Sequence, residues 1–365
     1  MVEQNWSGCG QHAIFSKDEQ PLIENILQVK ENLGSTRTAI VQSVKCRRIV
    51  LARKTITFGK QTMTKLEAIA EVSHLTRLNH AHIVRIIGTY VKGRELSILL
   101  YPVAQYNLET FIEHLQNVDS NVDSGRNTQP AMHLASRSFF SCLSSGTKYI
   151  HSRFTKHMDI KPQNILIRNA RPKLSRPDWR VWRVYIADFG LSRSFAAQDH
   201  SQTDGPTSRT PKYCAPEVYN SEERGRSADI FSLGCVFMEI SCVIAGIHPQ
   251  DFAIVRRGPG IDESFHANID RIVVWAHDVL YARLSSWLYD SRDDHLYIKA
   301  LVESLINMVR RDPGERPTAT QVYNKLVSFP PHLSPVNSCC SLSPEPFEYY
   351  EHHDSFDGKV ALSER

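Results

Sequence analysis

The segment HMDIKPQNIL (residues 157–166) is the most informative part of this 365-residue sequence. It places an aspartate, a lysine and an asparagine at fixed spacing, directly before an apolar run. Two short segments follow it in order, ADFG (187–190) and APE (215–217). Any one of these could occur by chance, but the ordered set of three hardly does. Together they decide how the rest of the sequence is interpreted.

These segments resemble the catalytic-loop, DFG and APE motifs of protein kinases, in the order found in that family. The resemblance covers about residues 26–329. It implies an α+β, bilobal protein kinase-like fold with an N-lobe at about 26–101 and a C-lobe at about 104–329. The N-lobe would be an antiparallel β-sheet plus one helix, and the C-lobe mainly α-helical. Residues 1–25 would be an N-terminal extension and residues 330–365 a tail.

Phosphoryl transfer depends on positioning and charge neutralisation more than on covalent chemistry by the protein. The resemblance implies that Asp159 accepts the hydroxyl proton of a Ser/Thr protein substrate. Asn164 and Asp188 would hold Mg²⁺ against the phosphates of ATP, since oxygen ligands suit that hard cation. Lys161 would bring a cation to the transferring phosphoryl group, and lysine there is the serine/threonine form of the motif. Thr210 resembles the threonine that hydrogen-bonds near the catalytic aspartate.

The resemblance also implies an ATP-binding set in the first third of the chain. Lys54 would bind phosphate, held extended by an opposite charge on Glu71. Glu67 lies one turn earlier and is the competing partner, but Glu71 stands nine residues before His80 as the family pattern requires. The remaining nucleotide-binding residues implied are Leu33, Gly34, Val41, Ala52, Leu100, Tyr101, Val103 and Leu166.

Other matches to the family imply residues that support the fold rather than residues that take part in the reaction. The simpler interpretation of Asp229 is a charge at a helix N-terminus that the helix dipole favours, but the residue matches the family's aspartate that steadies the catalytic loop. Glu217 and Arg316 match a buried ion pair. A stacked column linking the lobes would comprise Leu75, Ile86, His157 and Phe189.

Two departures from the family pattern leave a second function open. The segment LGSTRTAIV (33–41) keeps only the first glycine of G-x-G-x-x-G, so we expect a weaker clamp on ATP because glycine allows close backbone approach. Met158 replaces an arginine that often binds a phosphate on the activation segment. A pseudokinase or weakly active kinase-fold scaffold that binds partner proteins is therefore the alternative. A small-molecule kinase is less favoured, because APE and Arg316 are the protein-kinase form.

The residue pattern supports the same fold class without the motifs. Residues 1 to about 20 show no clear pattern and are expected to be weakly structured. Partial alternation with β-branched enrichment predicts an antiparallel sheet from the runs ILQVKENLG, TAIVQSV, RIVLARKTITF, HIVRIIGTYV and LSILLYPV. Apolar spacing predicts helices over 64–78, 138–152, 227–243, 269–288 and 301–311, and one from the cap Thr318 through Leu326, with a surface loop over 119–130.

Composition excludes several function classes. With 43 basic and 39 acidic residues the net charge is +4, too small for a chain-wide grip on nucleic acid or anionic lipid. The eight cysteines show no zinc-ligand spacing, so a reduced, intracellular protein, cytoplasmic or nuclear, is expected.

The apolar segment 230–247 contains Glu239 and is interpreted as a buried helix rather than a membrane span. We expect a monomer.

Two surface segments carry further expectations. The loop 168–183 holds six Lys or Arg residues against Asp178. A solvated loop is the simpler interpretation, but Trp179 and Trp182 beside the arginines keep a docking site for a partner protein possible, since such clusters form binding hot spots. The tail from Pro330 is either poorly ordered or docks through Phe347, Tyr349 and Tyr350.

Overall fold

The described part of the chain divides after Tyr106 into two units of different secondary structure. The first is built on a β-sheet and the second is mainly helical, which confirms the α+β prediction. The computed structural model describes residues 5–8, 10–35, 39–57, 72, 76–116, 129–171, 178–189, 211–220, 225–288, 294–331 and 339.

Runs rich in β-branched residues form the strands of the first unit. Their bounds are β1 (His12–Phe15), β2 (Leu27–Ser35), β3 (Ala39–Cys46), β4 (Ile49–Thr57), β5 (Arg85–Lys92) and β6 (Glu95–Tyr101). The sheet has the order β1-β5-β6-β4-β3-β2, and β2 to β6 pair antiparallel as the sequence predicts. In β4 the alternate residues Ile49 and Leu51 are buried, whereas the interior of β5 and most of β6 are buried on both faces.

The expectation that residues 1 to about 20 are weakly structured is wrong for the part that the structure describes, residues 5–8 and 10–20. Strand β1 pairs parallel with β5, so the sheet is mixed rather than wholly antiparallel, and helix α1 (Gln20–Ile26) follows it. Trp6 is 1% exposed, and its ring lies 6.5 Å from Phe15 and 5.7 Å from Tyr90. Trp6 Nε1 donates to the Gln11 carbonyl at 2.9 Å. The N-terminal segment is therefore part of the core of this unit.

Gly88 in β5 explains how the tryptophan fits against the sheet. A Cβ at this position would overlap the Trp6 indole and the Gln11 carbonyl. Only glycine permits so close an approach of a ring to the strand backbone. The packing of Trp6 thus depends on a residue 82 positions later in the chain, which no local pattern reveals.

Replacing Trp6 by alanine should destabilise the protein by about 3–5 kcal/mol, the usual cost of truncating a buried tryptophan. Ile14→Ala is the matched control, because Ile14 lies in β1 but is 58% exposed. Urea denaturation of both variants measures the difference. Equal stabilities for the two variants would show that the N-terminal segment is not packed as described.

The second unit contains two short strands and nine of the helices among the described residues. The strands are β8 (Ile165–Asn169) and β9 (Trp182–Ile186), preceded by β7 (Tyr106–Asn107) at the unit boundary. The helices are α2 (Leu108–Gln116), α3 (Gln129–Ser152), α4 (Pro216–Tyr219), α5 (Arg226–Ile244), α6 (Pro249–Arg257), α7 (Ile269–Trp275), α8 (Tyr281–Leu288), α9 (Asp294–Met308) and α10 (Ala319–Val327).

The helix predictions in this unit are confirmed, with shifts at the ends. The segment predicted as one helix over 269–288 comprises α7, a π-helical turn (Ala276–Leu280) and α8. Thr318 caps α10 as predicted: its side chain accepts from the backbone of Gln321, whose side chain accepts in return from the Thr318 amide at 2.8 Å. This reciprocal box satisfies two of the N–H groups that a helix start leaves unpaired.

Helix α5 forms the centre of the second unit. Among the described residues it is long and apolar enough to cross a membrane, but 89% of its apolar window is buried inside the protein. At Gly234 a Cβ would meet the side chains of Met308 and Val309, so this glycine lets the end of α9 approach closely. The interpretation of α5 as a buried helix agrees with its surroundings.

Several predictions fall outside the described residues. These are the ion-pair partner Glu71 and its competitor Glu67, Leu75 of the column, Thr210, residues 36–38 of the glycine-rich segment, most of the helix over 64–78, the loop over 119–128, residues 172–177 of the basic loop, and the tail over 332–338 and from 340 onward.

Candidate active site

The β8–β9 hairpin brings the two predicted metal-binding residues to one place. Ile165 at the start of β8 lies opposite Ile186 at the end of β9. Just beyond this pair, the amide of Ala187 donates to the carbonyl of Asn164 at 2.8 Å. Asn164 and Asp188 therefore stand at adjacent ends of paired strands, although 24 residues separate them in sequence.

The catalytic-loop side chains contact one another directly. Lys161 Nζ lies 3.0 Å from Asp159 Oδ2. Asn164 Nδ2 donates to the same oxygen at 3.0 Å and to the Asp159 carbonyl at 2.8 Å. Two donors thus fix the plane of the Asp159 carboxylate. A short 3-10 turn (Pro162–Asn164) folds Asn164 back toward Asp159, so the three residues that the resemblance assigned to one site are in contact.

Asp229 holds the backbone that leads into Asp159. Its Oδ2 accepts from the His157 amide at 2.8 Å and its Oδ1 from the Met158 amide at 2.7 Å. His151 Nε2 is 2.9 Å from Oδ2. Met158 has φ of +65°, a conformation that costs about 1–3 kcal/mol for a residue other than glycine. The charge-assisted bonds to Asp229, which is 1% exposed, offset that strain.

His157 connects the catalytic loop to the Asp188 segment. Its Nδ1 accepts from the Asp159 amide at 3.3 Å, and its Nε2 lies 3.0 Å from the Ala187 carbonyl. These partners assign the proton to Nε2, because a carbonyl can only accept. The ring also lies 4.8 Å from the Phe189 ring, the contact that the predicted column requires. Phe189 and its neighbour Asp188 are thereby positioned from the catalytic loop.

The donor set at Asn164 and Asp188 fits Mg²⁺. Asn164 uses its amide nitrogen on Asp159, so its amide oxygen is the atom suited to a cation. Asp188 adds a carboxylate and has φ of +60°, a strained conformation of the kind that clusters at functional sites. Two oxygen ligands from protein are typical for this metal, which keeps several waters and phosphate ligands.

The buried pair Glu217 and Arg316 is present as predicted. Arg316 donates to both carboxylate oxygens of Glu217, at 2.7 and 2.8 Å, and its side chain is 0% exposed. It also donates to the carbonyls of Ser227, Arg310 and Arg311. This ties the APE segment to the loop before α10, so the pair supports the fold and does not touch the candidate catalytic residues.

Sequence reasoning missed a second buried network around Glu239. The Tyr213 hydroxyl donates to both oxygens of Glu239, at 3.1 and 2.9 Å, and Lys212 Nζ lies 2.9 Å from Oε1. Arg256, 1% exposed, lies 3.5 Å away. Burial and then Glu239 raise the pKa of Tyr213 well above its usual value, so it stays a donor. The signal was available: a glutamate inside an apolar run needs buried partners.

A cavity of about 330 Å³ lies next to the catalytic loop. Its walls include Pro162, Lys212 and Glu239, together with Glu109 and Glu113 of α2. Burial, and then the nearby Glu113, raises the pKa of Glu109 above its usual value. The cavity is therefore a concave, partly acidic surface, and one of its lining residues, Pro162, is three positions after Asp159 in the sequence.

The predicted nucleotide-binding residues of the first unit lie on neighbouring strands. Gly34 in β2 pairs with Val41 in β3, which pairs with Lys54 in β4. Ala52 in β4 pairs with Leu100 in β6. Leu33 lies in β2, Tyr101 ends β6 and Val103 follows it, whereas Leu166 belongs to β8 of the second unit and Glu71 and Thr210 are outside the described residues.

The structure corrects one part of the predicted docking cluster in the loop 168–183. Trp182 is 6% exposed and packs its ring 5.6 Å from that of Phe111 in α2, so it belongs to the core. Trp179 is half-buried, and Arg180 pairs with Asp178 at 3.0 Å. A docking surface here would have to rely on the arginines and Trp179.

Comparison with known proteins agrees with these observations. The protein kinase domain model matches residues 27–327. Cyclin-dependent kinase E-1 of Arabidopsis thaliana is 26% identical over 274 residues, 70% of this chain and 55% of its own length. Serine/threonine-protein kinase ATG1 of Komagataella pastoris is 28% identical over 202 residues, which are 50% of this chain and 24% of the length of ATG1. The chain thus spans about half the length, or less, of these relatives. Because the domain match covers most of the sequence, the chain belongs to the protein kinase family.

Proposed function

We propose that this protein is a serine/threonine kinase that transfers the γ-phosphoryl group of Mg-ATP to a hydroxyl of a protein acceptor. The observation that carries the proposal is the joined set Asp159, Lys161 and Asn164, with Asp188 held beside Asn164 through the Ala187 hydrogen bond. A general base, a cation and two metal-binding oxygens are what phosphoryl transfer asks of a protein.

The chain's own residues have separate tasks in this reaction. Mg-ATP, when bound, supplies the phosphoryl group and the neutralisation of its charge. Asp159 orients the acceptor hydroxyl and takes its proton, while Lys161 brings positive charge to the group in transfer. Asn164 holds the Asp159 carboxylate in place through its amide nitrogen and offers its oxygen to the metal, as Asp188 offers its carboxylate. The partly acidic cavity beside Pro162 gives an acceptor chain a concave surface to occupy.

Three features support serine or threonine as the acceptor. Lys161 is the serine/threonine form of the motif, and the ATG1 relative is named a serine/threonine-protein kinase. Thr210 matches the expected threonine by sequence. The pseudokinase alternative rests on the single glycine of the segment 33–41 and on Met158. The sequence retains Asp159, Lys161, Asn164 and Asp188, which argues against the pseudokinase alternative.

Asp188→Ala should weaken Mg²⁺-dependent ATP binding and abolish ADP production with a generic protein acceptor, because one of two protein ligands is lost. Asp251→Ala is the control, since Asp251 is an exposed carboxylate of α6. Calorimetric titration with ATP, with and without Mg²⁺, and an ADP-release assay measure both effects. Wild-type protein that binds Mg-ATP and releases no ADP would overturn the kinase proposal and favour a scaffold.

A further inference from the structure

Two cysteines far apart in sequence meet in the second unit. Cys142 lies in α3 and Cys339 in the C-terminal segment that begins at Pro330, 197 residues later. Their sulfur atoms are 3.9 Å apart, and the residues are 2% and 3% exposed. Both are thiols in this structure. Cys339 itself therefore contacts α3, whereas the aromatic residues expected to dock lie outside the described part of the chain.

The two sulfur atoms are in contact but are not bonded. Bonded sulfur atoms are about 2.05 Å apart, so the two thiols need to approach by less than 2 Å. Cys235 and Cys242 of α5 offer a contrast, because two helical turns separate them by about 10 Å along the axis, too far for a bond. Packing of two small apolar thiols is the simpler explanation of the Cys142–Cys339 contact, and it predicts no bond under oxidation.

We propose that Cys142 and Cys339 form a reversible disulfide that fastens the C-terminal segment to α3. The co-reactant is a small disulfide such as oxidised glutathione. The Cys339 thiolate attacks one of its sulfurs, which forms a mixed disulfide and releases one glutathione thiolate. The Cys142 thiolate then displaces the second glutathione from Cys339. Two protein thiols are oxidised, one glutathione disulfide is reduced, and the two protons pass to the two released thiolates.

Cys339 is assigned the first attack because of its position. Cys142 lies in the middle of the 24-residue helix α3, whereas Cys339 belongs to none of the helices and strands named above. Local openings that expose a thiol cost least outside regular secondary structure. The bond would close a loop of 197 residues, and long loops gain most from cross-linking because the unfolded chain is restricted most. Oxidation is therefore expected to stabilise the helical unit.

The test uses the full-length protein equilibrated with oxidised glutathione and then alkylated. Mass spectrometry of the wild type should show a Cys142–Cys339 linked peptide and a loss of two hydrogens, both reversed by dithiothreitol. The oxidised protein should melt several degrees above the reduced one. Cys142→Ala and Cys339→Ala should each lose this shift, and Cys214→Ala, at a partly exposed cysteine of another segment, should keep it.

Three results would overturn the proposal. One is the absence of the linked peptide after equilibration, which would leave a packing contact only. Another is linkage of Cys339 to its neighbour Cys340 or to a second chain instead. The third is an oxidation-dependent melting shift that persists in Cys142→Ala. The peptide map of the wild type is decisive even if an alanine variant fails to fold.

Discussion

Asp159→Asn should lower kcat by about 10²–10⁴-fold, the usual contribution of a general base. Asparagine has nearly the same shape and keeps an oxygen that can accept from Asn164, so the loop should retain its structure. What it loses is the capacity to take the acceptor proton and the charge that pairs with Lys161. The affinity for Mg-ATP should change little, because Asp159 is not among the proposed metal ligands.

Initial rates of phosphate incorporation and a nucleotide titration separate the two effects. Asp278→Asn is the matched control, since it makes the same chemical change at an exposed residue of the π-helical turn and should leave kcat unchanged. An Asp159→Asn enzyme as fast as this control would show that Asp159 is not the base.

Arg316→Met should destabilise the helical unit by about 3–5 kcal/mol, because it leaves the Glu217 carboxylate buried without its cation. Glu217 is 3% exposed and has both oxygens bonded to Arg316. The arginine also satisfies three backbone carbonyls, whose bonds would be lost together. The double variant Glu217→Gln/Arg316→Met should recover part of the loss, since no buried charge then remains.

Asp270→Ala is the control for this effect. It removes another contact between an acid and an arginine, Asp270 to Arg311 at 3.0 Å, but the two side chains are 87% and 56% exposed. Exposed pairs contribute at most about 1 kcal/mol. Chemical denaturation of the three variants measures the difference. A loss for Arg316→Met no larger than that for Asp270→Ala would contradict the assigned role of the buried pair.

The sequence was sufficient where a pattern is local. Strands β2 to β6 follow runs rich in β-branched residues, and α10 follows its Thr318 cap. Asp159, Lys161 and Asn164 lie in one short loop, and the family resemblance implied that they belong to one site. The pairing of Asn164 with the Asp188 segment is longer in range. This pairing could still be anticipated, because the family resemblance assigns Asn164 and Asp188 to the same metal site.

The failures involve contacts whose partners are remote. Strand β1 is four residues long, and its burial depends on β5 and on Gly88 rather than on its own pattern. Trp182 looked exposed because the loop around it is basic, but Phe111, 71 residues earlier, buries it. The network at Glu239 joins α5, α6 and the turn that holds Lys212 and Tyr213. The sequence shows a single charge inside an apolar run, but it does not show which remote residues pair with that charge.

Phosphoamino-acid analysis of a generic protein acceptor, incubated with γ-labelled ATP, tests most directly whether this protein is a serine/threonine kinase. With wild-type enzyme and Mg²⁺ we expect labelled phosphoserine or phosphothreonine, no label when EDTA removes the metal, and little label with Asp159→Asn. Equal background label from wild type and Asp159→Asn, with Mg-ATP shown to be bound, would contradict kinase activity.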